Sequence, residues 1–173
     1  MMKLLAIGLV LIGCILGGIW LDEDQKKRIE ELGKFIYLFE LLKAEIDYRL
    51  TPLKEACLIV GKRTNNKSID AVMMGFAKSL EDKESVRVEE MWENAINAQK
   101  QAFHLQAEDY KLLYSFGGAC GYLDKNMEKR NIEMVLEQLR QSTKEAKEKY
   151  QKTSKLNRSL GVLVGLGLSI FLL

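Results

Sequence analysis

Apolar residues follow three regimes along this chain. Residues 4–21 and 159–173 contain no Asp, Glu, Lys, Arg or His, whereas from 22 to 158 apolar positions recur every three or four residues among charged ones. The second spacing is that of amphipathic helices. The first stretch, 18 residues long, extends about 27 Å as a helix, close to the ~30 Å hydrocarbon core of a bilayer. The last, 15 residues long, reaches only about 22 Å and would cross with local thinning. The pattern predicts an N-terminal transmembrane helix over 1–21, a soluble helical bundle over 22–158 and a C-terminal transmembrane helix over 159–173.

Within the middle region strand signals are nearly absent, so the expected fold class is all-α: a bundle of about six helices on two membrane anchors. Ile29, Leu32, Ile36, Phe39, Ile46 and Leu50 trace one face of a first helix, interrupted by Lys43. Thr51-Pro52 predicts a boundary, with Thr51 as cap and Pro52 in the first helical position. A short helix then runs to Gly61, a polar loop covers Gly61 to Lys67, and Ser68 caps a helix over 69–81. A fourth helix is expected over 85–105, carrying Val88, Met91, Trp92, Ala95, Ile96, Ala102 and Phe103, and a fifth over 108–120. The last begins near Asp124, buries Ile132, Val135, Leu136 and Leu139, continues with the weaker row Thr143, Ala146 and Tyr150, and enters the membrane unbroken. Its soluble part would be a rod of about 50 Å, and the first and last helices must run antiparallel to meet one membrane face.

Charge orients the anchors. Lys26, Lys27, Arg28 and Lys34 follow the first apolar stretch, and Lys144, Lys147, Lys149, Lys152, Lys155 and Arg158 precede the last. Basic flanks stay on the cytosolic side, so the bundle is expected there. Leu11-Ile12-Gly13-Cys14 has the form of a lipoprotein processing site, yet uncharged residues continue to Leu21, which disfavours cleavage. Gly13 and Gly17, and Gly161, Gly165 and Ser169, are spaced four apart and form small-residue rows suited to close helix contact in lipid.

A net charge of +2 gives no reason to expect nucleic-acid binding. Cys14, Cys57 and Cys120 lie far apart and His104 is the single histidine, a pattern of reduced thiols without a disulfide framework or metal site. His104, between Phe103 and Leu105, fits a helix-surface or interface position. Gly117-Gly118-Ala119-Cys120-Gly121 lacks the Lys-Ser/Thr ending of a phosphate loop and fits a close helix contact or turn. Glu89, Glu90 and Glu93, like Glu133 and Glu137, fit a solvated face, and Trp92 fits the core better than a binding hot spot. No cofactor and no catalytic constellation is expected.

Four stretches carry a resemblance. Ala44-Glu45-Ile46-Asp47-Tyr48-Arg49-Leu50-Thr51-Pro52-Leu53 with Glu55-Ala56, then Trp92, then Asp109 through Leu112-Leu113, Phe116-Gly117, Gly121 and Asp124, and finally Ser159-Leu160-Gly161-Val162-Leu163, together resemble the stage III sporulation protein AB family. Thr51, Pro52, Trp92, Asp109, Phe116, Gly117, Gly121 and Asp124 are accordingly candidate partner-contact or family-motif positions. The resemblance implies a non-enzymatic platform subunit of a channel-like secretion complex, in the mother-cell membrane around the forespore. Its soluble domain would be similar to the inner-membrane platform domain of type II secretion and type IV pilus machines, and its partners would be other membrane subunits and a secretion-type ATPase. Such platform proteins carry two copies of the domain and more spans; this chain has one copy and two spans, which implies a homo-oligomer. The alternatives are a membrane-tethered adaptor or sensor unrelated to sporulation, and a small enzyme whose site the sequence does not reveal.

Overall fold

The structure, a computed structural model, describes residues 2–82, 87–118, 120 and 125–172, with side chains over 23–82, 87–118, 120 and 127–153. Among these residues there are six α-helices and no strand: α1 Met2–Asp47, α2 Leu53–Arg63, α3 Lys67–Asp82, α4 Val88–Ala98, α5 Ala107–Gly118 and α6 Lys125–Leu172, with a 3-10 turn at Lys100–Ala102 between α4 and α5. The chain divides into two compact units, one of residues 30–143 and one of residues 1–29 with 144–173.

The unit of residues 30–143 is built around the helix stripes. On α1 the buried apolar residues are Leu32, Phe35, Leu38, Phe39, Leu42 and Ile46, a face rotated from the predicted one: Phe35, Leu38 and Leu42 join it, Ile36 is half-buried and Leu50 is exposed. The predicted stripe on α6, Ile132, Val135, Leu136 and Leu139, is buried throughout. At about 1.5–3 kcal/mol for each fully buried large apolar side chain, these stripes supply the main force holding the helices together. Polar groups set the register. Asp47–Lys129 (2.8 Å), Lys43–Glu133 (2.7 Å) and Glu40–Arg140 (2.8 Å) pair in reverse order along the two helices. Within this unit α1 and α6 therefore run antiparallel, as expected, and the interruption at Lys43 is an inter-helix ion pair. The chain enters and leaves the unit at the same end.

Three boundaries differ from expectation, each for a local reason. The α1–α2 corner is not capped by Thr51: Pro52 occupies the N-cap position itself, at φ −56° and ψ 147°, with its carbonyl accepting from Ala56 N–H (2.9 Å). The Thr51 hydroxyl donates to Glu45 Oε2 instead (3.4 Å). In the next connection α2 continues to Arg63, and Asn66 rather than Ser68 caps α3, its Oδ1 accepting from the N–H groups of Ser68 (3.0 Å) and Ile69 (3.1 Å). The helix expected over 85–105 ends at Ala98, because the 3-10 turn swings Phe103 inward to pack edge-on against Phe35 (5.1 Å between centroids) while Ala102 faces solvent.

Glycines allow two close approaches. A Cβ on Gly61 would stand 3.0 Å from Met73 Cβ and 2.8 Å from Asp70 Oδ1, and one on Gly117 would stand 3.0 Å from Trp92 Cβ and 3.1 Å from Glu89 Cα. Only a bare backbone brings α2 against α3, and α5 against α4, at those points.

In the other unit, Lys27 pairs with Glu23 (3.6 Å) one turn apart on α1. On α6, Ala146 is buried and Tyr150 half-buried, while Lys144, Lys147, Lys149 and Lys152 are exposed. Among the described residues no helix is long and apolar enough to cross a membrane. The expected spans, with Gly13, Gly17, Gly161, Gly165 and Ser169, fall in parts of α1 and α6 whose side chains lie outside the described residues.

Candidate functional site

Three of the motif residues, Trp92, Phe116 and Gly117, meet at a buried node. Trp92 on α4, fully buried, has Phe116 of α5 (4.9 Å), Phe76 of α3 (5.0 Å) and Phe39 of α1 (6.3 Å) edge-on around it. Its indole N–H donates to the Leu113 carbonyl (2.7 Å). Edge-to-face pairs add about 0.5–1.5 kcal/mol each beyond area burial, so four helices are held at one point. Gly117 lies against Trp92 because no larger residue fits. From α6, the Asn131 amide donates to the Phe116 carbonyl (2.9 Å).

Asp109 begins α5 at the third helical position. One carboxylate oxygen accepts from the Gln106 N–H (2.9 Å), the reciprocal half of a capping box, and the other accepts from the Ser142 hydroxyl on α6 (3.2 Å). It is fully buried. Tyr110 and Tyr114 tie α5 backward, donating to the Lys100 carbonyl (2.9 Å) and to Asn97 Oδ1 (2.6 Å). Burial, chiefly, raises both phenols above their ordinary value, so they remain neutral donors.

Trp92, Asp109, Phe116 and Gly117 are interior residues that set helix packing, with Trp92 in the core as expected. Gly121 and Asp124 lie outside the described residues. Thr51 and Pro52 lie at a second, exposed cluster that sequence reasoning named only at its edge.

That cluster is the α1–α2 corner. Glu45 is 1 % exposed, and its Oε1 accepts from Arg63 at the end of α2 (2.7 Å) and lies 3.5 Å from the Arg49 guanidinium. The Glu45 carbonyl accepts from Thr51 N–H (3.1 Å), a closure made possible by Leu50 at φ 56°. A leucine in this left-handed conformation is strained by about 1–2 kcal/mol. Glu45 had a readable signal, a carboxylate on the stripe that continues Leu38 and Leu42. Leu50 gave none, because its apolar character placed it on the buried face.

Among the described residues no cluster of His, Cys, Asp or Glu could hold a metal ion. His104 is exposed in the extended segment before α5, not on a helix as expected. Cys57 is fully buried on α2, and burial, with a smaller contribution from Glu128, pushes its thiol up to about 12; burial raises the Cys120 thiol as well. Both are poor nucleophiles. Glu89 and Glu90 face Arg87 at 3.4 and 3.5 Å, and Glu133 pairs with Lys43.

The sequence model of the stage III sporulation protein AB family matches residues 3–173. Stage III sporulation protein AB of Bacillus subtilis (strain 168) is 26 % identical over 173 residues, covering all of both chains. A solved structure of a stage III sporulation protein AB superposes with a TM-score of 0.62 at 24 % identity, over 72 % of this chain and 96 % of that one, and supports the fold.

Proposed function

The chain belongs to the stage III sporulation protein AB family, which gives it a role in sporulation, and we propose that it performs this role as a non-catalytic platform subunit of a membrane-embedded, channel-like secretion complex. The observation that carries this reading is the antiparallel α1–α6 pair: it returns the chain to the end of the helical unit where it entered, as a domain fixed at both termini to one membrane face requires. Residues 4–21 and 159–173 act as the two anchors, and the lysine-rich flanks hold the bundle in the cytosol of the mother cell. There it links a secretion-type ATPase to the other membrane subunits. The buried polar groups serve packing: Asp109, Glu45, Asn131 and the Trp92 indole all bind neighbouring helices or their caps.

A single copy of the domain implies self-assembly, with Gly161, Gly165 and Ser169 letting anchor helices approach closely. The test is affinity purification of the full chain from sporulating cells. The reading expects membrane subunits and an ATPase to co-purify, and Gly161→Leu with Gly165→Leu to reduce their recovery at equal protein level. Recovery of the chain alone, from the soluble fraction, would contradict it.

A further inference from the structure

Resting on the platform reading, we propose that the α1–α2 corner docks an acidic segment of a partner protein, with Tyr48 and Leu50 entering an apolar cleft and Arg49 meeting a carboxylate. Tyr48 is 84 % and Leu50 60 % exposed, the two highest values among the large apolar side chains of the described residues. Neither contributes to the core. Leu50 also holds φ 56°, which glycine adopts freely and leucine does not. A turn that needed only this backbone angle would be better served by glycine, so the leucine side chain has a use outside the fold.

The corner is held ready. The buried Glu45 carboxylate holds Arg63 and the Thr51 hydroxyl, its carbonyl holds the Thr51 N–H, and Pro52 fixes the next φ. A preorganised surface loses little freedom on binding. Tyrosine and arginine are also the side chains on which interface energy concentrates.

Charge selects the partner. Two guanidiniums share the single Glu45 carboxylate, and Arg49, with its side chain 61 % exposed, stands at the longer distance of 3.5 Å. Its donors are left for a further acceptor. Asp47 is committed to Lys129 at 2.8 Å and Lys54 to Glu81 at 3.0 Å, while the exposed Glu55 stands in the first turn of α2. Arg49 is a guanidinium with donors to spare, flanked in the chain by an exposed aromatic and an exposed aliphatic side chain, and is complementary to a carboxylate beside an apolar cleft.

The test places the photo-crosslinking residue p-benzoylphenylalanine at position 48 of the full chain in sporulating cells. The expected product is one species whose partner peptide maps to an acidic segment with apolar neighbours. Arg49→Glu and Leu50→Gly should each reduce its yield at least tenfold at equal protein level, and a lysine at the mapped acidic position should restore the Arg49→Glu yield. Crosslinks only to a second copy of the chain, only to lipid or to nothing would overturn the proposal. So would an unchanged yield in Arg49→Glu, or a Leu50→Gly chain whose unfolding equilibrium constant exceeds that of wild type by more than about fivefold. If the membrane complex still co-purifies while the crosslink is absent, the corner is wrong and the platform reading stands; if wild-type chain recovers no membrane partner, the platform reading fails by itself.

Discussion

The Trp92 node and the α1–α2 corner both contain residues that carry the family resemblance, yet they use their large side chains in opposite ways. At the node every large side chain is inside: Trp92, Phe39, Phe76 and Phe116 are within 1 % of full burial. At the corner a carboxylate is inside while a tyrosine and a leucine are outside, with Glu45 at 1 % exposure, Tyr48 at 84 % and Leu50 at 60 %. Burial of a carboxylate is unfavourable unless it is paired and hydrogen-bonded, and Glu45 is, by Arg63 and Thr51. The comparison teaches that a shared motif residue is not thereby a surface residue. In this chain the node fixes how the helices pack, and the corner spends conformational strain to present a surface.

Substitutions can break this contrast on the node side. Trp92→Ala should have the largest effect, about 3–5 kcal/mol, together with loss of the indole bond to Leu113; urea unfolding of the full chain in detergent would read it. A change below about 1 kcal/mol would mean that the node does not organise the bundle. Gly117→Ala comes next at about 1–3 kcal/mol, since its Cβ would meet Trp92 and the Glu89 backbone, neither free to move. Gly33→Ala, with open space around it, is the control and should not destabilise.

Asp109→Ala should lose about 1 kcal/mol from the cap and somewhat more from the Ser142 bond. Amide exchange at the start of α5 should rise first. The smallest effect sharpens the comparison from the α1–α6 seam. Lys43 holds the Glu133 carboxyl below its ordinary 4.5, and Asp47 holds Lys129 above its ordinary 10.5. The Glu133 contribution is present above pH 4.5 and lost as pH falls through the lowered value; the Lys129 contribution is present below pH 10.5 and lost as pH rises through the raised one. Thermal stability at low salt should therefore show shallow losses at both extremes, removed for the acid limb by Glu133→Gln.

Helix count, helix class and the α6 stripe were legible because apolar periodicity over long segments records burial directly. The node was half legible: Trp92, Phe116 and Gly117 were recognised, but nothing local says that Phe39 and Phe76 meet them, since those contacts join distant parts of the chain. Boundaries were least legible. Thr51-Pro52 has the letters of a cap and first turn, and only the competing bond to Glu45 redirects the threonine. Asn66 outcompetes Ser68 because its longer side chain reaches two N–H groups of the next turn at once. The corner surface was hidden for a different reason, since an apolar residue at helical spacing is assigned to the core by default and a positive φ leaves no trace in residue type when the residue is leucine.

The claim that the corner leucine serves recognition and not the fold is tested most directly by the unfolding free energy of Leu50→Gly, measured by urea titration of the full chain against wild type. Replacing a strained left-handed leucine by glycine relieves about 1–2 kcal/mol of folded-state strain, partly offset by about 1 kcal/mol of added unfolded-state freedom. The account predicts stability equal to wild type or up to about 1 kcal/mol higher. A loss of more than about 1 kcal/mol would show that Leu50 is part of the packing, and the division between a buried node and a presented corner would not hold.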